Sequence, residues 1–308
     1  MADAVADVRV SAVRRRAGAR WMPRRKSLIA FLFALPLILI ILCLVVYPAF
    51  YALHLATLNK SMTKFVGFGN FEFLFKRNTF WMVVEQSVLF AVTAVIFKAV
   101  IGFIVAHFVH NIPLKGQRKW RGMLLIPWVI PPAMSTLAWL WLFDPSYSAF
   151  NWILAHIGLE QVPWTGNPYW ARFCVILVNV WVGSPFFMIM YLAALKSVPE
   201  QLHEAAAIDG ANWFQKIWYV NLPMMRNIIQ ITALFSLIVT FANFDIVKVL
   251  TNGGPVDQTH VFATWAFTLG IWGNDIPLGA SVSLFMFPIL AIAAILILRN
   301  IRKRGNEA

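Results

Sequence analysis

Long apolar runs, separated by short polar segments, dominate the chain. Stretches 28–54, 84–109, 120–143, 169–195, 227–248 and 278–298 are apolar with few charges. A hydrocarbon core about 30 Å thick takes roughly 20 helical residues at about 1.5 Å each, so every stretch is long enough to cross a bilayer. The pattern predicts an all-α polytopic membrane protein with about six transmembrane helices. It divides the chain into a basic arm (1–27), a membrane domain (28–298) and a basic tail (299–308). The first run has the basic lead of a secretory signal. It is longer than a signal's apolar centre and no Ala-x-Ala site closes it, so it reads as a retained span.

Composition supports the same reading. Hydrophobic residues make up 60% of the 308 positions and charged residues only 13%. A soluble domain carries about a quarter charged residues. The formal net charge of +13 lies largely at the flanks of spans: Arg14, Arg15, Arg16, Arg20, Arg24, Arg25 and Lys26 before the first, Arg299, Arg302, Lys303 and Arg304 after the last. Cations at span ends mark the cytoplasmic side, so this placement predicts both termini in the cytoplasm and argues against nucleic acid as a partner. Loops 144–168 and 249–275 carry no Lys or Arg, whereas 110–119 and 196–226 do; only loop 55–83, with Lys60, Lys64, Lys76 and Arg77, dissents. That loop is rich in aromatics (Phe65, Phe68, Phe71, Phe73, Phe75, Phe80, Trp81), which suits a segment lying at the headgroup level. Cys43 and Cys174 lie in apolar runs at no metal-ligand spacing and read as packing residues.

Segment 197–223, between the fourth and fifth spans, reads as two short helices with a hinge. Ser197 is placed to cap the first, with Pro199 in its opening turn and Glu200 at the positive end of its dipole. Gly210 follows the last helical residues, where a left-handed stop favours glycine. A second helix begins near Asn212, and Pro223 is placed to break it before the fifth span. Leu202, Ala205, Ala206 and Ile208 offer a small apolar face beside Glu204 and Asp209, a shape suited to another protein's groove.

The run Glu204-Ala-Ala-x-x-Asp209-Gly210-Ala211, with Ile217 and Leu222-Pro223 following, resembles the EAA motif of ABC-importer permeases. The resemblance implies the transmembrane-domain fold of type I ABC importers. It also implies that Glu204, Ala205, Ala206, Asp209 and Gly210 couple to an ATPase subunit. The chain has no Gly-x-x-x-x-Gly-Lys-Ser/Thr loop, metal-ligand cluster or Gly-x-Ser-x-Gly elbow. It is therefore expected to be no enzyme and to hold no cofactor, with ATP hydrolysed on a separate polypeptide.

Polar groups at membrane depth mark candidate pathways, because burying them against lipid is costly. Ser236, Thr240 and Asn243 recur at i, i+4 and i+7, and Asn179, Gly183 and Phe186 share that spacing. Neutral polar groups beside aromatics suit a sugar, and equally suit hydrogen bonding between helices. Asn179-Val-Trp181-Val-Gly183-Ser-Pro185 is similar to a signature of maltose-type carbohydrate permeases, and Thr251-Asn-Gly-Gly-Pro255 with Thr259 and Trp265-Ala-Phe267 resembles a loop of the same family. Carried over, the resemblance makes Asn179, Val182, Gly183, Phe186, Ser236, Val239, Thr240 and Asn243 sugar contacts. Val239 and Thr240 replace an aromatic and an amide of the maltose protein, which argues against maltose itself. The resemblance, from Phe65 through the last helix, is to shorter six-span members.

The reading is thus a sugar-importer permease in a bacterial inner membrane. Its expected partners are a second permease, two ATPase subunits, an extracytoplasmic sugar-binding protein and the lipid bilayer. An ABC permease for a polyol or glycerol phosphate, or a secondary ion-coupled transporter, is the alternative; Asp245 and Glu85, near span ends, are the nearest approach to the carboxylates an ion-coupled carrier needs. Lys98 lies mid-span with no evident partner. Asp245 and Lys248, three apart, are spaced to pair with each other or to face the external vestibule. His107, His110 and His203 are expected to be solvated near the interfaces.

Overall fold

The computed structural model describes residues 25–305, and among these every regular element is helical. The arm's arginines at 14–24 and positions 306–308 lie outside the described residues. The chain forms two compact units, one through Tyr51 and one from Ala52 onward. α1 (Arg25–Ile41) passes through a π turn (Leu42–Val46) into α2 (Tyr47–Ala56), within which the first unit ends. Large apolar side chains are exposed along this helix, Phe33 and Leu44 among the most, as suits a helix that crosses a bilayer. Cys43 is exposed on it, so only Cys174 is the packed thiol expected of both.

The second unit is organised by α4 (Asn78–Asn111) and α9 (Pro168–Ser197). Gly102 faces the Phe187 side chain and Lys98 faces Gly183, so a step of four residues along one helix matches a step of four along the other. The two helices therefore run parallel. A parallel pair needs an odd number of crossings between its members, and the only chain available is the stretch expected to span at 120–143.

That stretch is not one helix. It is divided into α5 (Leu114–Leu124), α6 (Ile126–Val129) and α7 (Pro132–Leu142). Pro127, Pro131 and Pro132 supply no amide hydrogen, and Ile130, before Pro131, is extended at φ −70° and ψ 133°. Five helices remain long and apolar enough to cross a membrane unbroken: Leu28–Ala56, Asn78–Asn111, Pro168–Ser197, Trp213–Phe241 and Ile276–Arg299. The fifth predicted stretch also ends early. Helix α12 (Leu222–Phe241) stops at Ala242, and α13 (Asp245–Leu250) starts after a break. The chain closes with α14 (Phe262–Phe267), a π turn (Thr268–Trp272), α15 (Ile276–Leu284) and α16 (Met286–Gly305).

Three apolar clusters fill the unit. Phe80, Phe262, Trp265 and Val282 form one; Phe90, Phe143, Val175 and Ile246 the second; Phe187, Tyr191 and Met225 the third. The ends of the bundle differ in charge. At one end the Arg172 Nε donates to the Gln258 carbonyl at 3.1 Å, which joins the N-terminus of α9 to loop 249–275. Lys60 Nζ reaches the Gly273 carbonyl at the same end, so loop 55–83 belongs there too. Within that loop, α3 (Gly69–Phe75) leaves Phe65 and Phe68 exposed, and the 2.6 Å contact of Lys76 with Glu72 holds that carboxyl below the usual carboxylate range. At the opposite end Lys196 Nζ donates to Gln117 Oε1 at 2.9 Å, gathering the two basic loops.

Asn151 makes the longest-range side-chain bonds within loop 144–168. Asn151, on α8 (Ala149–His156), accepts from Val162 N at 3.0 Å and Trp164 Nε1 at 2.9 Å, and donates to the Val162 carbonyl at 3.0 Å. Asn151→Ala removes all three bonds and strands partly buried donors, each costing about 1–3 kcal/mol. The expected outcome is a lower thermal midpoint in detergent and faster hydrogen exchange confined to 144–168, read by mass spectrometry.

Candidate functional site

Segment 197–223 forms the two short helices expected of it, with three corrections. Ser197 is not a cap: it is the last residue of α9, and its hydroxyl donates to the Ala194 carbonyl at 2.7 Å. Pro199 occupies the cap position of α10 (Glu200–Ile208), outside the opening turn. Gly210 ends this helix at φ +74°, and Ala211 N closes back on the Ala206 carbonyl at 2.8 Å. Asn212 then caps α11 (Trp213–Lys216): its side chain accepts from Gln215 N at 3.0 Å, and its own amide donates to Gln215 Oε1 at 2.7 Å.

Pro223 does not break the helix that follows. A π turn (Ile217–Asn221) carries α11 into α12, with Pro223 in the first turn after it, and Trp213–Phe241 is one rod. The wider π ring leaves amides near it unpaired along the helix, which is where a proline without an amide hydrogen is tolerated.

The outward side of α10 is bare. Glu204, Ala205 and Ala207 are exposed, Ile208 is 88% exposed, and nothing lies within 4 Å of where a Gly210 side chain would be. Its other flank faces a cleft of about 470 Å³ lined by Leu202, Ala206, Asp209, Tyr219 and Pro223. Ile208 thus stands exposed at the tip of a capped two-helix element.

The predicted pathway residues do not form one uniform stripe. Asn179, Val182, Gly183 and Phe186 share α9, while Ser236, Val239 and Thr240 share α12. Asn243 lies beyond the end of α12, where its Oδ1 accepts from Ile246 N at 3.3 Å and starts α13. Ser236 and Thr240 face inward, at 6% and 2% exposure, whereas Val239 faces out at 53%. Val182 packs against the second apolar cluster. Phe186 sits between two aromatics absent from the sequence reading, with ring centroids 6.0 Å from Trp128 and 5.3 Å from Phe235. Phe235 and Val239 are four apart on the exposed face of α12, a spacing visible in the sequence. Trp128 arrives only because the proline-broken stretch folds against α9.

Lys98 links the two helices. Its stem occupies the space that the missing Gly183 side chain leaves, and its Nζ donates to Thr240 Oγ1 at 2.7 Å. The gap beside Gly183 is thus filled from within the chain. Lys98 is 3% exposed, and among the described residues no carboxylate lies within ion-pair distance of it. One turn before Gly183, the Asn179 Oδ1 is buried without a hydrogen-bond partner.

One open choice is resolved and one expectation corrected. Asp245 and Lys248 form no ion pair; Lys248 Nζ lies over the Trp272 ring at 3.2 Å and near Phe267 at 4.6 Å. His107 is not solvated: it is 8% exposed, in edge contact with Trp213 at 5.7 Å. At the opposite end, Thr259 Oγ1 bonds Thr251 Oγ1 at 2.7 Å, and burial of the His260 ring against Gly253 lowers its pKa.

Residues 98–303 match the family described as binding-protein-dependent transport system inner membrane component. The chain belongs to that family. This ABC-importer permease is 30% identical over 287 residues to the trehalose/maltose transport system permease protein MalF of Thermococcus litoralis, covering 92% of this chain and 96% of that protein. It is 29% identical over 290 residues to the sulfoquinovosyl glycerol transport system permease protein SmoG of Agrobacterium fabrum, covering 92% and 94%. A chain of the crystal structure of a bacterial ABC transporter that imports the acidic polysaccharide alginate superposes with a TM-score of 0.80 at 22% identity, covering 91% of this chain and 96% of that one. The permease thus has the fold of ABC-importer transmembrane domains.

Thr240→Val leaves the Lys98 ammonium buried without its acceptor. A loss of about 1–3 kcal/mol is expected, and Lys98→Met combined with Thr240→Val should recover most of it, because the stranded charge goes too. Thermal unfolding of the three purified proteins in one detergent measures both effects.

Proposed function

We propose that this permease is one of two membrane subunits of an ATP-driven carbohydrate importer in a bacterial inner membrane, with both termini cytoplasmic. The bare α10–α11 element carries the reading. Its end of the bundle is the one bearing Lys115, Arg118, Lys119, Lys196 and Lys216, which favours the cytoplasmic side. There Glu204, Ala205, Ala206, Asp209 and Gly210 present a rigid knob to a separate ATPase subunit, with Ile208 as its apolar tip. ATP binds and is hydrolysed on that partner. A soluble binding protein delivers sugar to the opposite end, where loops 144–168 and 249–275 carry no Lys or Arg and loop 55–83 carries four.

Substrate passes between this permease and its companion along the exposed face of α12. Val239 lies on that face, with Phe186 at its edge and Asn179, Val182, Gly183, Ser236, Thr240 and Asn243 behind or beside it. The relatives that carry trehalose, maltose and sulfoquinovosyl glycerol support a carbohydrate cargo, and a polyol or glycerol phosphate fits the same neutral lining. An ion-coupled carrier needs buried carboxylates, and no Asp or Glu is buried among the described residues.

Glu204→Lys reverses the charge on the exposed side of α10 without touching the membrane core. Co-purification with the ATPase subunits and ATP-dependent sugar uptake should both fall at least tenfold, while the permease stays in the membrane at normal levels. Undiminished association and uptake would discard the coupling assignment.

A further inference from the structure

A second polar site lies on the opposite flank of α10. A cavity of about 480 Å³ opens where the C-terminal ends of α4 and α9 meet the start of the α10–α11 element. His107 and His110 enter it from α4, Lys196 from α9, His203 from α10, Lys216 from α11, and Asn221 from the π turn. Five of these six are cations or ring donors. The single acid, Glu200, makes no ion pair with either lysine among the described residues.

Three buried polar atoms of residues lining this cavity have no hydrogen-bond partner within the protein: His107 Nδ1, His110 Nδ1 and Asn221 Oδ1. Asn221 is only 4% and His107 only 8% exposed, and the contact between Asn221 Nδ2 and His107 Nε2 is long, at 3.5 Å. Buried polar atoms left unsatisfied cost about 1–3 kcal/mol each, so those beside a polar cavity take their partners from what fills it, water or a solute. The histidines are not grouped as metal ligands among the described residues. Two lysines, one of them (Lys196) also donating to Gln117 Oε1, and three histidines line the cavity from four elements, a set of donors that suits an oxyanion, and Asn221 Oδ1 is left to accept from water or from a protonated oxygen.

We propose that this cavity binds a phosphate group. Once bound, the phosphate ties α10 and α11 to the ends of α4 and α9 and restrains the element assigned above to ATPase coupling. That consequence rests on the coupling reading; the binding itself does not. The cavity lies at the ends of spanning helices, so the phosphate can come from a lipid headgroup or from solution, and recognition is the same for both.

The test uses the full chain, purified without added phosphate. Calorimetric titration with inorganic phosphate in detergent is expected to give saturable, one-to-one binding. Lys196→Gln with Lys216→Gln should weaken it at least tenfold, and Glu200→Gln should tighten it about threefold by removing the only repulsive charge. A gain of affinity is an outcome that misfolding does not mimic. In nanodiscs, native mass spectrometry should show one retained phosphatidylglycerol, lost in the double variant, if the headgroup is the natural occupant; retention of none alongside phosphate binding assigns the soluble ion. Absence of stoichiometric binding in both settings, or equal binding by the double variant, overturns the proposal. Neither readout depends on ATPase association or uptake, so the coupling reading stands or falls separately.

Discussion

The architecture depends on two long helices lying side by side and pointing the same way. Once α4 and α9 are parallel and in contact at Gly102 and Phe187, the chain between them has to return across the bundle. It does so through three short helices interrupted by prolines, whose freed backbone groups find partners in the protein or in water, as broken helices at membrane depth require. The same pairing sets Lys98 against Gly183 and collects the basic loops at one end. It also leaves α12 free to lie antiparallel, with Asn221 beside His107 and Thr240 beside Lys98.

Lys98 changes how the polar positions are understood. Ser, Thr and Asn inside spans serve either a passing solute or a neighbouring helix, and sequence spacing does not separate the two. Here Thr240 is engaged by an ammonium, Asn243 starts a helix, and Asn179 keeps a free oxygen. The exposed face of α12 is instead its apolar side, at Phe235 and Val239.

Five of the six spans were legible because long apolar runs have few alternative structures. The capped ends of α10 and α11 were legible because Gly210, Asn212 and Gln215 act on their own neighbours. What escaped depends on non-local contact or on helix irregularity. Pro223 looks like a terminator until a π turn absorbs it, and Pro127, Pro131 and Pro132 look like ordinary residues of a span until they divide it. Lys98 could be flagged as costly from its position, but its acceptor is 142 residues away. Asp245 and Lys248 have the spacing of an ion pair, yet the lysine lies over two aromatic rings about 20 residues away, which spacing along one helix does not reveal.

The π turn at Ile217–Asn221 has a mechanical consequence. Because it keeps Trp213–Phe241 continuous, 29 residues form one helix about 43 Å long at about 1.5 Å per residue. The α11 end and the Phe241 end are therefore joined by helical backbone throughout, with no non-helical residue at Pro223 to let the two parts turn separately.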